Sequence, residues 1–131
     1  MSDLRFDPPS QANIDADVAA ALAEDIGGGD VTADLLPDAL ESAYLLCKED
    51  AVIAGRPWFD ACHRELDPRV QIHWQVAEGT RVAAGTVLAL LEGRSPALVS
   101  AERSALNFLQ TLSGTATTTA AHVEAVRGTG A

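Results

Sequence analysis

Arg103 carries the side chain that we expect to bind an anionic ligand. It lies in residues 95–112, where apolar residues recur at helical spacing, and it falls on the polar side of that predicted helix. Asn107 follows one helical turn later, and Glu102 is adjacent in sequence. Because a guanidinium binds carboxylates and phosphates through paired hydrogen bonds, this surface suits an anionic substrate. Periodicity alone leaves an alternative open, in which Arg103 is a solvated side chain paired within the helix to Glu102.

The other reactive residue types do not form a catalytic or metal-binding pattern. His63, His73 and His122 lie in separate predicted elements without a partner at the spacing of metal ligands, so we predict no metal site in this chain. No serine or cysteine has a nearby base that would activate it as a nucleophile. Cys47 and Cys62 form no CxxC motif, and we interpret both as buried free thiols.

Two further motifs have structural interpretations. The glycines at 27–29 could suggest a phosphate-binding loop, but such loops begin a helix, whereas these follow a predicted helix and have acidic neighbours. We therefore predict that they end the helix. Residues 78–90 have the spacing EGTxVxxGTxL of the turn-rich strands in biotinyl and lipoyl carrier modules. Such modules carry their prosthetic group on a lysine at a hairpin tip, but the only lysine, Lys48, lies in a different predicted hairpin from this segment. We therefore interpret the spacing as a similarity between small β layers.

The elements that must position Arg103 are a mixture of helices and strands. The clearest strand signal is the apolar–polar alternation of residues 70–76. We predict strands over residues 42–48, 51–55, 70–76, 81–82 and 86–91. We predict helices over residues 14–26 (capped by Asn13), 57–66, 95–112 and 115–127, the last weakened by its threonines. This order predicts an α+β fold, an antiparallel sheet with helices on one face.

Composition and charge limit the function classes. The chain has 131 residues, of which 47% are hydrophobic and 21% charged, so it can form a packed core but is too short for a complete (β/α)₈ barrel. Its net charge of −10 argues against nucleic-acid or anionic-membrane partners. Residues 1–41 contain ten acidic residues and one basic residue, so an anionic ligand would find its cations in the rest of the chain. Without a long apolar segment or a signal-peptide pattern, we expect a soluble, cytoplasmic protein.

Four collinear segments carry a resemblance to a known family. Residues 101–110 read AERSALNFLQ and residues 112–117 read LSGTAT. Together they resemble the ER(T/S)xLNxLQxLSGxAT stretch of quinolinate phosphoribosyltransferase, also called nicotinate-nucleotide pyrophosphorylase (carboxylating). Segments 22–32, 48–55 and 78–85 agree with the same family in the same order. The resemblance covers nearly the whole chain from about residue 13.

The resemblance implies a fold, a reaction and one site residue. The family has an N-terminal open-faced sandwich followed by an α/β barrel, and it forms homodimers, or higher oligomers, in which each sandwich covers the partner's barrel. Its enzymes convert quinolinate and phosphoribosyl pyrophosphate to nicotinate mononucleotide, CO₂ and pyrophosphate in NAD synthesis, with Mg²⁺. By this resemblance, Arg103 reaches across the dimer to the quinolinate carboxylates. From their positions beside Arg103 on the predicted helix, we take Glu102 and Asn107 as supporting residues.

The resemblance also implies that this chain is part of a longer enzyme. We predict a flexible tail at residues 1–12, the sandwich domain at 13–112, and at 113–131 the first helix of a missing α/β barrel. The family's other substrate residues, including a KTTP-type stretch, and the place where Mg²⁺ binds with phosphoribosyl pyrophosphate belong to that barrel. We therefore expect the 131 residues alone to be inactive. The alternatives are a related enzyme with another substrate and a non-catalytic interaction or carrier module.

Overall fold

The computed structural model describes residues 10–27, 38–118 and 122–128, which form three helices and six strands. The helices are α1 (Gln11–Gly27), α2 (Arg56–Leu66) and α3 (Ser95–Thr117). The strands are β1 (Leu40–Cys47), β2 (Ala51–Val52), β3 (Gln71–Trp74), β4 (Arg81–Val82), β5 (Val87–Arg94) and β6 (Val123–Gly128).

Four strands form an antiparallel sheet in the order β3-β5-β1-β6, and β2 and β4 form a separate two-stranded sheet. In the larger sheet, Leu45 lies opposite Ala89 of β5 and Ala125 of β6. A register shift follows Leu45 in the pairing of β1 with β5. Because alternate residues of a strand point to opposite faces, this register assigns Leu45, Ala89 and Ala125 to one face of the sheet.

The core lies between that face and the helices. Ala43, Leu45 and Cys47 of β1 are buried, and so are the residues that α3 directs at the sheet. The opposite face has no helix among the described residues, and Leu90 on that face is 45% exposed. The predicted α+β fold, an antiparallel sheet with helices on one face, is confirmed.

Helix α1 begins before the predicted start. The Ser10 hydroxyl accepts a hydrogen bond from the backbone N–H of Asn13 at 3.2 Å, so Ser10 is the cap and the prediction of Asn13 was wrong. Ser10 precedes a helix that starts at Gln11, which leaves Asn13 inside the first turn. The helix ends at Gly27, while Gly28, Gly29 and most of the predicted tail lie outside the described residues.

Helix α3 continues where a break was predicted. It runs through Ser113 and Gly114 to Thr117, and Thr118 ends it with a left-handed φ of 60°. Residues 123–128 then form an edge strand that pairs with β1. The predicted helix over 115–127 is therefore wrong: β-branched threonines weaken it, and pairing with the open edge of β1 satisfies the backbone instead. The predicted division into domains stays a prediction.

Helix α2 receives its N-terminal cap from a residue distant in sequence. The two carboxylate oxygens of Glu78 accept hydrogen bonds from the backbone N–H groups of Gly55, at 2.8 Å, and Arg56, at 3.1 Å. Pro57 occupies the first turn, where its missing N–H costs nothing. The turn after β3 and the start of α2 are thereby joined.

Candidate substrate-binding surface on helix α3

Arg103 lies on the side of α3 that faces away from the core. Leu98, Ala105 and Leu109, spaced along one stripe of the helix, are buried, so the Arg103 side of α3 is exposed. Arg103 and Asn107 are both exposed and line a shallow groove of about 480 Å³. The remaining groove residues are Leu106 and Gln110.

The guanidinium of Arg103 makes no hydrogen bond or ion pair with any other residue in the described ranges. Most of the described cationic side chains do have an acceptor. Those with an acceptor are Lys48, Arg56, Arg64, Arg69, Arg94 and Arg127. Of the described cations, Arg103 and Arg81 thus keep their full bonding capacity for another molecule.

Glu102 pairs with β6 rather than with its neighbour Arg103. Its carboxylate accepts a hydrogen bond from the guanidinium of Arg127, which also lies 3.9 Å from the carboxylate of Glu41. The intrahelical pair considered for Arg103 and Glu102 is therefore not formed. Arg127 was missed by sequence reasoning, and no local signal could have found it, because β6 reaches Glu102 through sheet pairing.

The residues of α3 near Arg103 differ in exposure and in their contacts. Ser104, the next residue in the helix, is buried, at 2% exposure. Gln110 donates from its side-chain amide to the backbone carbonyl of Val123. Glu102 and Gln110 therefore attach this side of α3 to β6, while Arg103 and Asn107 stay exposed to solvent.

His63 is a structural residue beneath α3. It is 3% exposed, its ring lies 4.7 Å from that of Phe59, and its Nδ1 is 3.1 Å from the Phe59 carbonyl oxygen. Burial lowers the pKa of His63, and the positive charge of Arg127 lowers it further. A small cavity separates His63 from Glu102 and Arg127. His63 is therefore neutral at pH 7 and does not add a cation to the α3 surface.

The remaining candidate residues contribute no further chemistry. Cys47 and Cys62 are both buried and form no disulfide, which confirms the interpretation as buried, reduced cysteines, and burial raises the pKa of Cys47. Lys48 pairs with Glu124 at 3.1 Å. In the described ranges, no three His, Cys, Asp or Glu side chains are arranged to hold a metal ion. None of the helices in those ranges has the length and apolarity to cross a membrane.

Known proteins share both the sequence and the fold. The quinolinate phosphoribosyltransferase (decarboxylating) 1 of Nicotiana glauca is 37% identical over 123 residues, which are 90% of this chain and 35% of that protein. A probable nicotinate-nucleotide pyrophosphorylase (carboxylating) of Synechocystis is 41% identical over 106 residues, 80% of this chain and 36% of that protein. The solved nicotinate-nucleotide pyrophosphorylase of Francisella tularensis superposes with a TM-score of 0.84 at 32% identity, covering 88% of this chain and 42% of that one.

The chain spans about a third of the length of these curated relatives. The family model described as "Quinolinate phosphoribosyl transferase, N-terminal domain" matches residues 30–113, more than half of the chain. The matched range includes the two-stranded sheet, α2 and the portion of α3 that carries Arg103. The chain therefore belongs to the family of quinolinate phosphoribosyl transferase N-terminal domains.

Proposed function

We propose that this chain is the N-terminal part of an enzyme that converts quinolinate and phosphoribosyl pyrophosphate to nicotinate mononucleotide, CO₂ and pyrophosphate. The family match and the named relatives support this reaction. Since the chain corresponds to about a third of those relatives, the reaction needs the remainder of a longer protein. The 131 residues alone are expected to form no nicotinate mononucleotide in an assay with both substrates, and measurable turnover would contradict this part of the proposal.

The observation that carries the site assignment is the exposed guanidinium of Arg103, which has no partner among residues 10–27, 38–118 and 122–128. Quinolinate is a rigid dianion, and it enters a site that also receives the phosphates of the second substrate. A fixed guanidinium holds one carboxylate through two parallel hydrogen bonds and offsets its charge. Arg103 thus positions the pyridine ring for attack by its nitrogen on the ribose carbon, while Asn107 lines the same groove. Glu102 keeps α3 attached to β6.

The proposed partner is a second copy of the enzyme, with Arg103 entering the active site of the other subunit. Two features of the chain support this arrangement. Arg103 has no acceptor among the described residues, and the uncovered face of the sheet carries apolar side chains, including Leu90. A homodimer, or a higher oligomer built from it, would bring the sandwich of one subunit against the barrel of the other.

Within this proposal, Mg²⁺ is assigned to the phosphoribosyl pyrophosphate site in the barrel part of the longer enzyme, because proteins usually hold Mg²⁺ with one or two carboxylates together with substrate phosphates. The absence of a disulfide between the two buried cysteines suits a reducing compartment, and we place the enzyme in the cytoplasm. Some relatives are named chloroplastic or mitochondrial, so fractionation into an organelle would overturn this location.

The decisive experiment compares two arginine substitutions in the full-length enzyme. Arg103→Ala removes two charge-assisted hydrogen bonds, each worth about 1.5–3 kcal/mol, so kcat/KM for quinolinate should fall by about 10²–10⁴-fold. Arg81→Ala is the matched control, since Arg81 is also exposed and unpaired in the described ranges but lies on β4. Near-normal kcat/KM for quinolinate in Arg103→Ala would refute the assignment.

A mixing experiment tests the action across the dimer. Arg103→Ala subunits are combined with subunits inactivated by a substitution in the barrel. If Arg103 acts in the neighbouring subunit, mixed dimers contain one intact site and regain part of the activity. The absence of rescue, with subunit exchange verified by mass, would show that Arg103 acts within its own subunit.

A further inference from the structure

Two hydroxyl groups of α3 bind the backbone of the segment that begins with β2. The Ser113 hydroxyl accepts a hydrogen bond from the N–H of Ala54 and donates to the carbonyl of the same residue, both at 3.0 Å. Four residues later, the Thr117 hydroxyl accepts from the N–H of Val52 at 2.8 Å and donates to the Ser113 carbonyl at 2.6 Å. Ser113 is fully buried and Thr117 is 8% exposed, so water does not compete for these bonds.

The spacing of these contacts matches the geometry of a helix against an extended strand. Ser113 and Thr117 are four residues apart on the helix, a distance of about 6 Å along its axis. Ala54 and Val52 are two residues apart in the extended segment, about 6.6 Å, so both hydroxyls can reach their backbone partners at the same time. The other edge of β2 pairs with β4, where Val52 lies opposite Arg81. A shift of α3 by one residue would move it about 1.5 Å, rotate it about 100° and break both contacts.

A third contact limits the approach of the two elements. Gly55 has a φ of 108°, and a Cβ at this position would lie 3.1 Å from Leu112 Cδ1 and 3.3 Å from the carbonyl oxygen of Phe108. Only glycine therefore combines this backbone conformation with such a short distance to α3. The segment from Val52 to Gly55 thus follows α3 closely from Phe108 to Thr117.

We propose that Ser113 and Thr117 are positioning residues for the quinolinate site, because they set the register and rotation of the helix that carries Arg103. This inference rests on the proposed function. Arg103 precedes Thr117 by fourteen residues, about 21 Å along a continuous helix. Glu102 and Gln110 attach α3 to β6, and the hydroxyls of Ser113 and Thr117 fix its C-terminal end. Loss of the hydroxyl bonds releases that end, so α3 can tilt and present Arg103 at a different angle.

The test is steady-state kinetics of full-length enzymes that differ at residue 117. Thr117→Val keeps the shape of the side chain but removes the hydroxyl, and KM for quinolinate should rise about tenfold, a change of about 1.4 kcal/mol. KM for phosphoribosyl pyrophosphate should stay within about twofold, and Thr117→Ser, which keeps the hydroxyl, should restore the quinolinate KM. Thr115→Val is the matched control, because the exposed Thr115 hydroxyl, within the described part of the chain, binds only the Thr111 carbonyl of its own helix.

A stability control separates positioning from general weakening. Val18→Ala removes buried volume from α1 and should lower the melting temperature without raising KM for quinolinate. Thr117→Val could lower the melting temperature and still leave KM for quinolinate and KM for phosphoribosyl pyrophosphate unchanged, as Val18→Ala should. That result would refute the positioning role. Arg103→Ala is measured in the same series. An unchanged quinolinate KM in that variant would refute the assignment of Arg103 to the quinolinate site, whereas a raised KM there with normal Thr117→Val would refute only the positioning role. A parent full-length enzyme that does not turn over quinolinate would refute the proposed function itself.

Amide exchange on the same proteins gives a readout that does not depend on catalysis. Thr117→Val should speed exchange of the Val52 amide about tenfold, and Ser113→Ala should do the same for the Ala54 amide. Thr115→Val should change neither. Unaltered exchange at both amides would show that the hydroxyls do not hold this register and would overturn the inference.

Discussion

Gly55→Ala should destabilise the protein more than alanine at Gly79, Gly85 or Gly93. At Gly55 two unfavourable contributions occur together, whereas each of the other three glycines has only one of them. The first is a left-handed backbone conformation, which costs an alanine about 1–2 kcal/mol. The second is the clash of the new methyl group with Leu112 and with the Phe108 carbonyl, which can cost about 1–3 kcal/mol since a backbone oxygen cannot move aside easily. The expected loss in the free energy of unfolding is therefore about 2–5 kcal/mol.

The control glycines isolate each cost. Gly79 and Gly85 have φ values of 80° and 88°, but a Cβ on either would have no atom within 4 Å, so alanine there should lose only the conformational part, about 1–2 kcal/mol. Gly93 has no positive φ, but its Cβ would lie 2.9 Å from Val70 Cγ2. Because Val70 is β-branched and has little rotamer freedom, Gly93→Ala should cost about 1–3 kcal/mol, without the conformational part.

Urea unfolding followed by tryptophan fluorescence measures all four variants. Trp74 is a suitable reporter because it packs edge-on against buried Phe59, with ring centroids 5.3 Å apart. The loss at Gly55 should equal or exceed the loss at Gly79 plus that at Gly93. A Gly55→Ala protein no less stable than Gly79→Ala would refute the close approach between α3 and the segment after β2.

Two further predictions concern buried titratable groups. Burial lowers the pKa of His63, so below a pH of about 6.5 the unfolded chain binds a proton at this residue that the folded chain does not. The free energy of unfolding should therefore fall as the pH drops from 7 to 5, by up to about 1.4 kcal/mol per pH unit. Urea melts across this range should show that part of the slope disappear in His63→Gln, and an identical slope would contradict the assignment. Burial raises the pKa of Asp60, whose carboxylate accepts a hydrogen bond from the Trp74 indole at 2.7 Å. At pH 7, Asp60→Asn should therefore be at least as stable as the parent, whereas Asp60→Ala should lose about 1–3 kcal/mol, and the reverse order would be inconsistent with this cause.

Features governed by local periodicity were predictable from the sequence. The helical spacing of Leu98, Ala105 and Leu109 identified the buried stripe of α3, and this stripe alone requires Arg103 to face outward. The alternation around Ile72 identified β3 within a few residues. Each pattern depends only on residues within a few positions of one another in the sequence. Both elements could therefore be predicted without knowing which distant residues they contact.

Features governed by distant partners were not predictable. Ser113 and Gly114 suggested a helix break by propensity, but the Ser113 hydroxyl binds Ala54, 59 residues earlier, and α3 continues. Residues 123–127 fall within the helix predicted over 115–127, yet pairing with the edge of β1 makes them part of a strand. Glu102 likewise bonds to Arg127, a partner that only the sheet topology brings near.

The capping of α2 by Glu78 has a consequence for the order in which the protein acquires structure. A nascent chain ending before residue 78 has no carboxylate for the first N–H groups of α2, which must then bind water. An eleven-residue helix in that condition is marginal in isolation. We therefore expect α2 to become stably helical during synthesis only after the turn that follows β3 has left the ribosome.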